Sequence, residues 1–252
     1  MQPSESPAKP DLFAARRILC IQPHYDDNDL FAGGTIAALA ERGAQILYLT
    51  VTDDLVGVLD QTHSDAQMTA QLRAEQAEAG AAIGVSQQYW LGYPDAGEHD
   101  YYRLRKDILG HLRRLQPDFV LTVDPWLPYE IHQDHILTGR AAAEAVFLSG
   151  FSRLKTDPET DRSAPPCAVQ GIAFYNSAWP NLVIDISATL RRKRQAIAAY
   201  RAQFSPDDLL ALMQDTETAE LEAAEGHAFS HAEKLKIVHP AALHGNTRTW
   251  QS

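Results

Sequence analysis

At 252 residues, with 45% hydrophobic and 22% charged residues, the chain is long enough for one large α/β domain and has the composition of a soluble globular protein. A formal net charge of -11 repels a phosphate backbone, which argues against nucleic acid as the main partner. No run approaches the roughly 18 apolar residues of a membrane span, so no membrane partner is expected.

Residues 1–15 are polar and Pro-rich with no apolar signal-peptide core, and are expected to form a flexible tail. Residues 16–252 are expected to form a single domain. Two cysteines, Cys20 and Cys167, suggest no disulfide framework, and the cytoplasm is the expected compartment. The apolar run Arg17–Gln22 reads as a buried strand. It ends on His24-Tyr25-Asp26-Asp27-Asn28, and a helix follows through Glu41, closed by Gly43. Gln45–Thr52 is strongly β-forming and ends on Asp53-Asp54. A helix is expected over Ala66–Ile83, stopped by Gly84, then a short strand over Gln88–Leu91 and a turn over Gly92-Tyr93-Pro94-Asp95-Ala96-Gly97. Tyr102–Leu115 is amphipathic, with Leu104, Ile108 and Leu112 at spacing four.

Phe119–Val123 reads as another buried strand, and a second dense polar stretch follows it, Tyr129-Glu130-Ile131-His132-Gln133-Asp134-His135. A helix is expected over Thr138–Leu148 and an exposed loop over Ser152–Cys167. Gly171–Tyr175 and Leu182–Ile186 read as short strands. Ser187 is expected to cap a long helix to Phe204, whose basic run Arg191-Arg192-Lys193-Arg194 reads as a solvated face. An acidic helix follows from Pro206 to Gly226. Strand–helix alternation at this spacing predicts an α/β fold with a mostly parallel sheet covered on both faces.

The two polar stretches carry the chemistry. A His-x-x-Asp spacing alone arises often by chance, but here two clusters of imidazole and carboxylate end two apolar strands, where open α/β sheets build their sites. His24, Asp27 and His135 make a three-ligand set of the kind zinc takes in hydrolytic sites, with one position left for water. Asp26 then stands free as general base, and His132 is free to stabilise an oxyanion or protonate a leaving amine. Asp134 is expected to orient one of the histidines. Two imidazoles and a carboxylate also accept other divalent metals.

His24-Tyr25-Asp26-Asp27 with Gly33-Gly34-Thr35, and His132-Gln133-Asp134-His135, resemble the two motifs of the zinc-dependent LmbE/PIG-L-type de-N-acetylases. That family includes N-acetylglucosaminyl-phosphatidylinositol, mycothiol-pathway and bacillithiol-pathway deacetylases. The resemblance continues through Arg73, Leu91–Asp95, Gln116–Leu121, Val183–Ile186, Lys193 and Tyr200–Gln203, and so spans residues from about 16 to 235. Asp124-Pro125-Trp126-Leu127-Pro128-Tyr129-Glu130 and Thr138-Gly139 look most like the diacetylchitobiose deacetylase branch. The resemblance implies a Rossmann-like three-layer αβα sandwich and one zinc ion. It places the family's ligands on His24, Asp27 and His135, its base on Asp26 and its intermediate-stabilising histidine on His132. It also implies a homo-oligomer acting on a small amino sugar or chitooligosaccharide. The chain departs from the family pattern at Tyr25 and Gln133, which replace prolines, at Asn28, which replaces the common Glu, and at Gln76.

Further candidates for substrate contact are Arg73, Asp54 and Asp95, with Trp126 and Tyr129 as aromatic faces for a sugar ring. Two other functions compete with sugar deacetylation. One is a zinc amidase acting on a thiol–sugar conjugate. The other is a non-catalytic sugar- or nucleotide-binding module, against which stands the absence of Gly-x-Gly-x-x-Gly after the first strand.

Overall fold

The computed structural model describes residues 7–250. Seven strands and seven α-helices follow one another along the chain: β1 (Arg17–Gln22), α1 (Asp27–Glu41), β2 (Gln45–Thr52), α2 (Asp65–Ile83), β3 (Val85–Tyr93), α3 (Tyr101–Leu115), β4 (Phe119–Val123), α4 (Gln133–Leu148), α5 (Pro158–Ser163), β5 (Gly171–Tyr175), β6 (Leu182–Asp185), α6 (Leu190–Ile197), α7 (Pro206–Ala224) and β7 (Ala232–Val238). The strands form one sheet in the order β3-β2-β1-β4-β5-β7-β6. Strands β1 to β5 pair in parallel, and β7 runs antiparallel to both β5 and β6.

The continuous apolar runs of β1, β2, β4 and β5 serve two cores at once, because successive side chains leave opposite faces of a strand. On one face Ile18, Cys20, Ile46, Tyr48, Leu121 and Tyr175 pack with Ile36 and Leu39 of α1 and Leu72 of α2. On the other, Leu19, Ile21, Leu47, Leu49, Val120 and Phe174 pack with Leu104, Ile108 and Leu112 of α3 and the alanines of α4. The result is an α/β sandwich of helix, sheet and helix layers. The order reverses at β1: β2 and β3 extend one way, and β4 lies on the other side. The crevice outside the carboxyl ends of β1 and β4 is therefore the switch point of the sheet, and both polar motifs open into it.

Several sequence expectations are corrected. Helix α4 begins at Gln133, five residues earlier than predicted, because His132 caps it by accepting the Asp134 N–H at its Nδ1. The long helix predicted from Ser187 to Phe204 is only α6, eight residues capped at Thr189; Ser187 instead accepts backbone N–H groups from Ser230 and His231. Strand β7 was not predicted at all, and the loop over Ser152–Cys167 contains α5. The basic run on α6 is not simply a solvated face. Lys193 is 2% exposed and lies 2.7 Å from both Glu220 and Glu233, and Arg194 also pairs with Glu220. Of the expected N-terminal tail, residues 1–6 fall outside the described region. Leu12–Ala14 form a 3-10 turn whose Leu12 is buried in the core. No helix among the described residues is long and apolar enough to cross a membrane.

Candidate active site

Two strand-to-helix junctions build the site. Asp26 is the N-cap of α1 and Asp27 its first residue; His132 is the N-cap of α4 and His135 stands in its first turn. Each motif therefore meets the positive end of a helix, where carboxylates are favoured. Close approach of α4 to the sheet depends on Gly139, where a Cβ would lie 2.6 Å from the carbonyl oxygen of Val123 at the end of β4.

The His24 ring is held between carboxylates on both of its nitrogens. Nδ1 lies 3.2 Å from Asp27 Oδ2, whereas Nε2 lies 3.4 Å from Asp95 Oδ1 and 3.4 Å from Asp134 Oδ2. Asp27 turns its other oxygen, Oδ1, toward His135 Nε2 at 3.4 Å. The ring of His132 completes the cluster, 4.8 Å from that of His24 and 5.0 Å from that of His135. Donor atoms of His24, Asp27 and His135 lie within 4.8 Å of one another, as do those of a second group, His24, Asp95, His132 and Asp134. Either group has the composition of a metal site. They share His24, and the carboxylates of both groups also accept backbone N–H groups: Asp27 that of His24 at 2.8 Å, Asp95 that of Val56 at 2.9 Å and Asp134 that of Ala96 at 2.8 Å.

The charges follow from this packing. Burial opposes the imidazolium of His24, but the contacts with Asp134, Asp27 and Asp95 outweigh it and raise its pKa. Burial also works against the Asp27 carboxylate, yet His24 and His135 hold it ionised and lower its pKa to about 2. Asp26 goes the other way. It is 7% exposed and makes no side-chain cap to its helix, and burial together with the charges of Asp27 and Asp54 raises its pKa well above the usual carboxylate range. Burial pushes Asp54 up to about 7. His132 is lowered by partial burial and by the two neighbouring imidazoles.

His24, Asp26, Asp27, His132, Asp134 and His135 thus meet at one point, although some hundred residues separate the two motifs. The remaining candidates divide. Asp95 stands directly on His24 rather than out in the crevice. Asp54 lies one layer further in, accepting the Tyr25 N–H at 2.9 Å and the Gln203 amide at 2.8 Å. Arg73 lies 4.9 Å over the ring of Trp90 and interacts with Tyr25, so it borders the site through those residues. Trp126 is half exposed and packs edge-on against Phe174; Tyr129 is fully exposed, and its ring stacks on no described side chain. Gln76, one of the departures from the family pattern, is a buried bridge linking the Tyr25 carbonyl, Thr50 and Trp90. Two residues escaped sequence reasoning. His99 stands 3.7 Å from Asp134 Oδ1, and Glu130 stands 3.2 Å from His135 Nδ1. Each sits in a loop whose path is set by tertiary packing, and only the proximity of Glu130 to the second motif gave any signal.

Known proteins resemble this chain in sequence and in fold. The family described as PIG-L, GlcNAc-PI de-N-acetylase, matches residues 19–146, a stretch that contains both motifs. The diacetylchitobiose deacetylase of Thermococcus kodakarensis is 32% identical over 91% of this chain and 85% of its own. A 1D-myo-inositol 2-acetamido-2-deoxy-alpha-D-glucopyranoside deacetylase of Catenulispora acidiphila is 28% identical, covering 79% of this chain and 78% of that protein. Among solved structures, the N,N'-diacetylchitobiose deacetylase of Pyrococcus horikoshii in complex with its inhibitor MPG superposes with a TM-score of 0.86 at 34% identity, over 92% of this chain and 87% of that one. The chain belongs to the PIG-L family of GlcNAc-PI de-N-acetylases.

Proposed function

We propose that the chain hydrolyses the N-acetyl amide of an N-acetylglucosamine-type sugar, a small amino sugar or chitooligosaccharide, with one zinc ion held by His24, Asp27 and His135. The observation that carries this reading is the meeting of three donor atoms from two separate motifs within 4.8 Å, beside a carboxylate, Asp26, that makes no capping bond. An imidazole–carboxylate–imidazole set suits zinc in a hydrolytic site. The orphaned nitrogens point the same way. His24 Nε2 and His135 Nδ1 are buried without a hydrogen bond, and each faces a carboxylate that would orient its ring once the opposite nitrogen carries a metal. Asp95 and Asp134, each 3.4 Å from His24 Nε2, serve in this reading to orient His24.

When bound, the ion supplies Lewis-acid chemistry, polarising a carbonyl and lowering the pKa of water toward about 7. Asp26 accepts a proton from the attacking water at its carboxylate. Its burial, with the charges of Asp27 and Asp54, favours proton uptake. His132 receives the Asp134 N–H at Nδ1, so its neutral form carries the proton on Nε2. From there it donates to the oxyanion that develops on the acetyl carbonyl. The proton held by Asp26 passes to the leaving nitrogen, and acetate and the free amino sugar depart. Trp126, half exposed in the segment between β4 and the second motif, offers an aromatic face to a pyranose ring. Self-association belongs to the same proposal, supported by the exposed apolar side chains of Tyr129 and Ile131 near the site.

The test is acetate release from diacetylchitobiose, run with metal content measured in parallel and beside a cysteinyl-glucosamine conjugate. Release from the acetylated sugar, lost on chelation and restored by zinc, is the expected outcome. Cleavage of the conjugate alone would reassign the substrate, and absence of both activities in zinc-loaded protein would sink the reading.

A further inference from the structure

We propose that Glu130 is a positioning residue that holds His135 through its Nδ1 and thereby aims Nε2 at the metal position. This inference rests on the zinc reading above but assigns a role to a side chain outside that ligand set. Glu130 Oε2 lies 3.2 Å from His135 Nδ1, a buried nitrogen that has no hydrogen bond among the described residues. The other oxygen, Oε1, accepts the backbone N–H of His132 at 2.8 Å. One carboxylate therefore ties together the two histidines of the second motif: the backbone of one and the ring of the other.

The loop is shaped to deliver it. Tyr129 adopts a left-handed conformation with φ of +68°, costly for a residue with a side chain, and turns of the chain bring Leu127 N–H to the Asp124 carbonyl and Glu130 N–H to the Leu127 carbonyl. The chain doubles back just before α4, so the Glu130 side chain lies along the first turn of that helix and is only 17% exposed. Tyr129 gains no packing from this strain, since it is fully exposed. The carboxylate after it is what the turn places.

The chemistry follows from the two nitrogens of an imidazole. A proton on Nδ1, the nitrogen that faces Glu130 at 3.2 Å, leaves the Nε2 lone pair free, and Nε2 is the atom that faces Asp27 Oδ1. A carboxylate partner also raises the basicity of the ring as a ligand. Asp134 does the corresponding work on His24, so each imidazole of the proposed ligand set has one nitrogen toward the ion and one toward a carboxylate.

The test compares Glu130→Ala, Glu130→Gln and His135→Ala in the full chain. The readouts are zinc affinity by chelator competition, the visible absorption spectrum of the cobalt-substituted protein, and kcat and KM at saturating zinc. Glu130→Ala is expected to bind zinc about 10–100-fold more weakly and to shift the cobalt spectrum. Glu130→Gln keeps an acceptor for the His132 N–H but presents a neutral amide to His135, and is expected to lose affinity to a similar extent. Wild-type affinity in Glu130→Gln would confine the carboxylate to tethering the loop and overturn the proposal. Loss as complete as in His135→Ala would make Glu130 a ligand and overturn it too. If His135→Ala itself retained zinc, the ligand set would fail instead, which separates that failure from this one.

Discussion

The Nε2 atom of His24 lies 3.4 Å from Oδ2 of Asp134, a carboxylate with no solvent exposure that also accepts the Ala96 N–H at 2.8 Å. A buried, ionised carboxylate fixed by a backbone donor sets both the orientation and the tautomer of the imidazole it faces. Asp134→Asn keeps the shape and the acceptor while removing the charge. It is expected to lower metal affinity, and with it kcat/KM, by about 10–100-fold. Equilibrium dialysis beside steady-state kinetics checks this, and unchanged affinity would show that Asp134 serves only to anchor the Ala96 loop.

Asp26 stands next to a proposed ligand without being one, and its buried carboxylate is biased toward holding a proton. Asp26→Asn cannot take a proton from water. It is expected to lower kcat by roughly 100-fold to 10,000-fold, the usual contribution of a general base, while zinc content and circular dichroism stay at wild-type levels. Turnover within a few-fold of wild type would transfer the base to another group.

Much of this site was legible in the sequence because its chemistry is compact. His24, Asp26 and Asp27 fall within four consecutive positions at a strand end, His132, Asp134 and His135 within four more, and local rules place such stretches at helix starts. Strands β1, β2, β4 and β5 were legible for a related reason: both faces are covered, so their apolar runs are unbroken. Strand β7 was not, since in Ala232–Val238 the charged residues Glu233, Lys234 and Lys236 break both an unbroken apolar run and a strict alternation. Its Glu233 is buried because Lys193 of α6, 40 residues earlier, and the N–H groups of Gly34 and Thr35 come to meet it. Glu130, His99 and the inward turn of Asp95 were hidden likewise, for their partners come from elements distant in sequence or from the strained path of a loop. The run Arg191–Arg194 misled because four adjacent cations on a short helix resemble a wet surface until acidic partners from α7 and β7 are in place.

That ion cluster is a structural pin. Lys193 Nζ lies 2.7 Å from both Glu220 and Glu233, and Glu233 also accepts the N–H groups of Gly34 and Thr35 within α1, at 3.0 and 2.8 Å. Lys193 thus supplies the charge that lets a buried carboxylate join α1 to β7. Lys193→Met preserves most of the volume but leaves Glu233 without a cation, and a broken buried pair costs about 3–5 kcal/mol. Urea denaturation should show a loss of that order with little change in slope. A loss below about 1 kcal/mol would mean that water already screens the cluster.

His111 gives a pH signature away from the active site. Its ring packs edge-on against Tyr89, Nδ1 lies 3.0 Å from the Asp107 carbonyl, and burial, aided by the neighbouring Arg114 cation, lowers its pKa below 6.5. With the folded pKa below the unfolded one, the unfolded chain binds protons that the folded chain refuses as pH falls through 6.5. The stability contributed by the neutral ring is therefore fully present above that pH and is lost progressively below it. His111→Gln removes the titration while keeping a side chain that can hydrogen-bond. Unfolding free energies measured by urea at intervals from pH 7.5 to pH 5 should fall more for wild type than for the variant, with the two curves separating only on the acid side of 6.5. Parallel curves across the whole range would show that the ring takes up its proton in the folded state as readily as in the unfolded one.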